Sequence, residues 1–283
     1  MSKLMRSLIL VLSFSLIATA CGDDDDDTAA TDSATGSGVA APADPEPVPE
    51  DEPVPEDAEA ETEVADLGPP VAALIVRSVT GELDTFIETR DAYVADLEAQ
   101  DGIVHDREFL PFLSFSTFSQ PEPPVYIGLT SGESLPQFGA AADTVDPALA
   151  GAYFPTFGIE VFGILQPLES GSPVDISAIA TEPGQVLEVA WRDLSAYENF
   201  DPAAYETARD AYLAELASME GFVEEYQWVS ADGGSLAVGM TVYESAHAFQ
   251  AIATDADFNA SDVYGAFVGG YPIAGGYAST SLK

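Results

Sequence analysis

One cysteine, two histidines and eight basic residues are all that 283 positions contain, and each scarcity excludes a class of protein. A single cysteine has no partner for an intramolecular disulfide. Two isolated histidines cannot build a Cys/His metal cluster, and no Gly-rich loop precedes a Lys to cradle a phosphate. No Ser/His/Asp arrangement stands out. Eight Lys plus Arg against 49 Asp plus Glu leave a net charge of −41, a field that repels phosphates and excludes DNA and RNA as partners. The apolar stretch from Leu8 to Ala18 falls short of the roughly 20 residues that a membrane span needs.

That stretch has another use. Lys3 and Arg6 precede it, and small residues and Cys21 follow, which is the layout of a secretory signal over residues 1–20. The closing "IATAC" resembles the lipobox of bacterial lipoproteins, with Ala18 where members more often have Leu. The resemblance implies cleavage between Ala20 and Cys21 and acylation of the Cys21 thiol and amino terminus, giving a cell-envelope protein held by lipid. Each buried CH₂ contributes about 0.8 kcal/mol, so two or three acyl chains anchor a protein stably. Gly22 follows the cysteine instead of the Asp that retains such proteins in the inner membrane, so the resemblance favours the outer membrane, with exposure at the cell surface an option.

Residues 21–68 hold 17 acids, no base and no aromatic residue, and repeat "EPVPED" at 46–51 and 52–57. Such a segment buries too little apolar surface to offset the entropy of ordering, which predicts a disordered, extended tether. Its "DDDDD" run lacks the interleaved spacing and glycine of an EF-hand loop. The remainder, 69–283, carries 32 acids against six bases and is rich in Leu, Ile, Val, Phe and Tyr, so it can bury a core.

This body is written twice. "RDAYVADLEAQDGIV" at 90–104 and "RDAYLAELASMEGFV" at 209–223 share eight of fifteen residues. "VAALIVR" at 71–77 answers "VLEVAWR" at 186–192, "VYIGLTSGES" at 125–134 answers "LAVGMTVYES" at 236–245, and "GAYFPTFGI" at 151–159 answers "GAFVGGYPI" at 265–273. Small changes of offset between matched blocks indicate duplicated elements with variable loops. The first and third pairs read as strands. Phe86, Arg90, Tyr93, Val94 and Leu97 lie at helical spacing, as do Tyr205, Arg209, Tyr212, Leu213 and Leu216, which predicts helices over 83–99 and 202–218. Asp201 before Pro202 is an N-cap signal, and Gly102 and Gly221 stand where left-handed cap residues belong. Further strands are expected at 103–109, 222–229, 157–165 and 271–280, and shorter helices at 134–143 and 245–254.

The order β-α-β-β-α-β, found over 69–168 and again over 169–283, is the ferredoxin-like unit, whose sheet has one face bare. Two copies can bury those faces together, sheet to sheet. The arrangement resembles the dimeric α/β-barrel superfamily, in particular antibiotic-biosynthesis monooxygenases. It implies an α+β fold in which one chain forms the pseudo-dimeric barrel and exists as a monomer. Activities of that superfamily run from cofactor-free oxygenation of polycyclic substrates to haem degradation with a His ligand near Asn and Trp.

The candidate residues are few. Arg77 matches Arg192 and Arg90 matches Arg209, so four of the body's five arginines recur in pairs. Each either closes an ion pair with a local carboxylate or contributes to a site for an anionic ligand. His105 and His247 are unmatched between copies, and Trp191 and Trp228 on strands suit a core. Phe112, Phe115 and Phe118 in "LPFLSFSTFSQPEPP" suggest a loop tucked over a barrel mouth. With no catalytic, metal or cofactor set evident, the expectation is a binding or structural module without catalysis, meeting a small apolar ligand or a protein partner. The alternative is a monooxygenase-like enzyme or haem-handling protein using the barrel interior. A connected, partly polar cavity there favours the enzyme, and a filled interior favours the module.

Overall fold

The computed structural model describes residues 68–169 and 174–282; Ala20, Cys21, the signal segment and the tether through residue 67 lie outside the described residues. The first repeat runs β1 (Val71–Val79), α1 (Leu83–Glu98), β2 (Ile103–Ser114), β3 (Val125–Gly132), α2 (Leu135–Thr144), α3 (Pro147–Tyr153) and β4 (Phe157–Pro167). The second runs β5 (Val186–Asp193), α4 (Pro202–Leu216), β6 (Phe222–Ser230), β7 (Leu236–Tyr243), α5 (Ala246–Ala253), the short helices α6 (Ala256–Asn259) and α7 (Asp262–Tyr264), a π-helical turn (Gly265–Gly269) and β8 (Gly275–Ser281). Asp201 caps α4 by accepting from the backbone of Ala203 and Ala204. Gly102 and Gly221 both sit at φ +90°, a conformation that side-chain-bearing residues rarely adopt.

The strands form one closed antiparallel barrel in the order β1-β3-β2-β8-β5-β7-β6-β4. Each repeat contributes a ferredoxin-like sheet, and two seams join them. Phe109–Ser114 of β2 pairs with Tyr277–Ser281 of β8, and Leu165–Pro167 of β4 pairs with Trp228–Ser230 of β6. Closure pairs every strand edge with a partner, removing the exposed edges that open sheets carry.

Alternation along the strands then sorts the side chains. One face turns inward and is filled by Leu74, Val76, Phe109, Ile127, Leu129, Leu187, Val189 and Met240, all fully buried. Ile176 and Ile179, from the connection between the repeats, enter the same core. Arg107, the arginine without a duplicate, fixes that connection by donating to the carbonyls of Ser177 (2.9 Å), Ile176 and Ala180 (both 3.4 Å) and to Ser281 Oγ (2.9 Å). Trp191 fits only because Gly275 faces it, since a Cβ there would lie 2.2 Å from the indole ring. The interior is therefore filled with apolar side chains, the arrangement expected of a packed core.

The phenylalanine-rich stretch departs from expectation. All of 103–114 is strand, because β2 runs on to pair with β8 across the seam. Phe112 and Phe115 consequently pack on Phe249 of α5 (6.4 and 6.3 Å between centroids), in the other repeat's helix layer instead of over a barrel mouth, while Phe118 points outward. The last strand starts at Gly275, not 271, because 265–269 winds into the π-helical turn.

Candidate acid–base site in the second repeat

The outer face of the sheet, under the helices, carries the polar chemistry. In the first repeat, Arg77 on β1 pairs with Glu108 on β2, at 2% and 1% side-chain exposure, and also donates to the Tyr153 hydroxyl. Its guanidinium lies among the rings of Phe86, Tyr153 and Phe157 at 5.8 to 6.0 Å. Gly128 makes the approach possible, since a Cβ there would come within 2.7 Å of Arg77 Nη2. Nearby Asp106 accepts from Thr130 Oγ1 at 2.7 Å, and burial pushes its carboxyl up to about 7. This layer is sealed: Arg77, Asp106 and Glu108 are all at or below 5% exposure.

The second repeat keeps the scaffold and changes the charges. Thr241 stands opposite Glu225 of β6 as Thr130 stands opposite Asp106. Gln227 stands opposite Gly239 where Glu108 stands opposite Gly128, so the carboxylate that neutralises Arg77 is replaced by a neutral amide. Glu188 faces Thr241 from β5, at the position that Ala73 holds opposite Thr130 in the first repeat. Glu188 and Glu225 thus flank one threonine on the same face, two strand spacings apart, or about 10 Å between Cα atoms.

Each carboxylate has hydrogen-bond partners. Thr241 Oγ1 and Gln227 Nε2 donate to Glu225, and the Tyr243 hydroxyl donates to Glu188 Oε2 at 2.6 Å. Burial nevertheless dominates. It pushes Glu225 up to about 8, with Glu188 adding repulsion and Thr241, Gln227 and Arg192 opposing. Glu188 is also raised by burial, against the pull of Tyr243 and Arg192. Tyr212 and Tyr243, over the same carboxylates, are raised above the ordinary phenol range by burial and by their negative charge. Both glutamates stay half-buried by accessible surface.

The four paired arginines are placed as follows. Arg77 closes the sealed ion pair. Arg192, its counterpart, gives Nε to the Tyr271 carbonyl at 2.8 Å and lies 4.4 Å from the centre of the Phe267 ring, without a carboxylate partner. Arg90 and Arg209 each chelate the next residue, Asp91 and Asp210, through Nε and Nη2, and each leaves a buried Nη1 without a partner. All five described arginines are at or below 8% exposure, so among the described residues the exterior carries carboxylates and no Lys or Arg.

The residues do not fit a histidine-held haem. His247 is exposed on α5, and His105 lies near Asp175 at the connection between repeats, outside both helix–sheet layers. Among the described residues no group of three His, Cys, Asp or Glu is arranged to hold a metal ion.

Glu188, Glu225, Asp106, Glu108, Thr241 and Gln227 were not among the candidates taken from the sequence. One signal pointed to them: Asp106 and Glu225 occupy the same position in the two copies at the offset of 119.

Fold and site together define a class, the tandem α/β barrel built by one chain from two ferredoxin-like repeats. No protein-family model and no curated protein matches the sequence. Similar solved structures share this barrel. A provisionally named monooxygenase from Fusobacterium nucleatum subsp. nucleatum is 10% identical at TM-score 0.46, over 76% of this chain and 93% of its own. An anthrone oxidase-like protein is 14% identical at 0.47, over 76% and 91%. A chlorite dismutase variant from Candidatus Nitrospira defluvii is 8% identical at 0.42, over 76% and 91%. These names, of a monooxygenase, an oxidase-like protein and a chlorite dismutase, run against the expectation of a binding or structural module without catalysis. At such identities the likeness is one of fold, and the chemistry rests on the residues described above.

Proposed function

We propose that the chain is a monooxygenase-like enzyme working in the helix–sheet layer of its second repeat, with Glu225 as the proton-transfer group. One observation carries this reading: where the first repeat seals its layer with an ion pair, the second sets two carboxyls of raised pKa, Glu188 and Glu225, on either side of Thr241. A carboxylate with pKa near 8 is a far stronger base than an ordinary one and suits a phenolic or enolic O–H. In the proposed reaction Glu225 takes that proton, and the electron-rich anion reacts with O₂. A CH₂ activated by the ring becomes C=O, one oxygen atom enters the product, and the other leaves as water with the two hydrogens, so the substrate supplies both electrons. Oxygen uptake with a panel of hydroxylated polycyclic aromatics tests this. Turnover should rise with pH through about 8 and fall by roughly 10²- to 10⁴-fold in Glu225→Gln. Turnover indifferent to that change, or none across the panel, overturns it.

We also propose that the body is held at the envelope membrane, the outer one in a two-membrane cell, by acyl chains on Cys21. The sequence around Ala20 and Cys21 supports this, and among the described residues no helix is long and apolar enough to cross a membrane. Cys21→Ser should release the protein from membranes and abolish fatty-acid labelling; equal labelling would refute the anchor.

A further inference from the structure

We propose that the barrel carries two one-electron relays, Trp191–Tyr277–Glu160 and Trp228–Tyr226–Glu224, which move oxidising equivalents from the packed interior to its rim. In each, the tyrosine gives an electron to the tryptophan and its proton to the glutamate. The relays stand apart from the acid–base site of the second repeat, and their test does not depend on turnover there.

Both tryptophans of the chain have the same company. Trp191 and Trp228 are buried, at 8% and 3% exposure. The Tyr277 ring lies 5.9 Å from Trp191 between centroids, tilted by 37°, and the Tyr226 ring stacks on Trp228 at 6.5 Å and 24°. Each of these tyrosines donates its hydroxyl to a glutamate at 2.6 Å, Tyr277 to Glu160 Oε2 and Tyr226 to Glu224 Oε2. That distance belongs to the short range of O–H hydrogen bonds to carboxylates. Both glutamates are exposed, so each series runs from an enclosed indole to solvent.

The backbone is shaped for these contacts. In the ring of strands β8 stands opposite β4, so Tyr277 reaches across the barrel end to Glu160. The register of β1 with β4 shifts between Val76 and Arg77, and Glu160 is the extra residue that pairs with neither. A bulge of this kind re-aims a side chain. Ser78 then donates to the other oxygen of Glu160 and holds the carboxylate in place. Glu224, Tyr226 and Trp228 alternate along β6 and so share one face. The first repeat has no such series: Val76 and Phe109 stand at the matching tryptophan positions, and Arg107 stands for Tyr226. The indole N–H of Trp228 is buried without an acceptor. Once oxidised, that indole has no protein group to take its proton, so it stays a cation, the form that draws an electron most strongly.

The step balances. A diffusing one-electron oxidant of high potential takes an electron from the tryptophan and leaves its radical cation. The tyrosine returns one electron to the indole and its O–H bond breaks. The proton forms a new O–H bond on the glutamate oxygen that already accepts the hydrogen bond. The products are intact tryptophan, a neutral tyrosyl radical and a protonated glutamate. Burial and the neighbouring carboxylate hold both phenols above the ordinary range, so each enters the step protonated and needs that acceptor. A soluble one-electron reductant, with the proton handed back by the glutamate, restores the tyrosine.

The test supplies the oxidant to the full chain by flash photolysis of tris(bipyridine)ruthenium(II) with a cobalt(III) ammine as electron acceptor. Radicals are followed by transient absorption and identified by rapid-freeze electron paramagnetic resonance, with and without ring-deuterated tyrosine. A neutral tyrosyl signal should form. Tyr226→Phe combined with Tyr277→Phe should remove most of it, although the chain has eleven tyrosines, and should leave a tryptophan radical in its place. Glu160→Gln with Glu224→Gln, both at exposed positions, should fold as the parent does and slow tyrosyl formation at least about 10²-fold, the lower end of what a positioned proton acceptor contributes. In a Tyr277→Phe background, Trp228→Phe, which installs the residue of the first repeat, should suppress the remaining signal. A tyrosyl signal that survives the two Phe substitutions, formation at the parent rate in the Gln variant, oxidation of Tyr226 indifferent to Trp228→Phe, or no tyrosyl signal at all overturns the inference.

Discussion

Removing Arg77 while keeping Glu108 leaves a carboxylate buried without its cation, and the structure contains its own gauge of what that costs. Asp106 lies in the same layer without an arginine partner, and burial moves it from 3.8 to about 7. At 1.36 kcal/mol per pKa unit, holding such a group ionised at neutral pH costs about 4 kcal/mol, in line with the 3–5 kcal/mol typical of breaking a buried pair. Arg77→Met should therefore destabilise the body by about 4 kcal/mol at pH 7, read from the midpoint of urea unfolding. Arg77→Met with Glu108→Gln should recover most of the stability, because no uncompensated charge remains. The same change at Arg192 should cost clearly less, since no carboxylate is hydrogen-bonded to it. A single variant within 1 kcal/mol of the parent, or a double variant that merely adds the two losses, would refute the reasoning.

Three further outcomes follow from the same layers. Glu225, raised by burial to about 8, binds its proton more tightly folded than unfolded, so its contribution to stability is complete below about pH 4.5 and is lost as pH rises through 8; Glu225→Gln should match the parent at pH 5 and exceed it by about 4 kcal/mol at pH 9. Gly275→Ala should cost about 1–3 kcal/mol in chemical unfolding, because the new methyl group would lie 2.2 Å from Trp191 and that ring is held in the barrel core. With every described arginine buried beneath a carboxylate exterior, raising NaCl from 20 mM to 1 M should lift the melting temperature by roughly 5 °C or more by screening repulsion; a flat profile would contradict this.

Much of the fold was legible because duplication marks packed segments. The stripe of Phe86, Arg90, Val94 and Leu97 recurs as Tyr205, Arg209 and Leu216, and both helices bury it against the sheet. Strand order followed from the element sequence, and barrel closure followed from the bare face that each copy must hide. The acid–base residues were hidden for a physical reason. Glu224 and Glu225 are neighbours in an acidic chain, and only the strand's alternation tells which one turns under the helices. A register shift between Phe222 and Glu224, matched by one between Ile103 and His105, breaks that alternation at the start of both strands. Arg192 was visible as a repeated arginine, but its lack of a carboxylate depended on Gln227 standing where Glu108 stands, which strand register reveals and sequence spacing does not.

The most direct test is a titration of the glutamate side-chain carbons by NMR in the folded chain, with Glu225 assigned by its substitution. Glu225 should titrate near pH 8, apart from the exposed carboxylates, and Glu188 should also lie above the ordinary range. Titration of Glu225 together with the surface glutamates near 4.5 would contradict the assignment of an acid–base site to the second repeat.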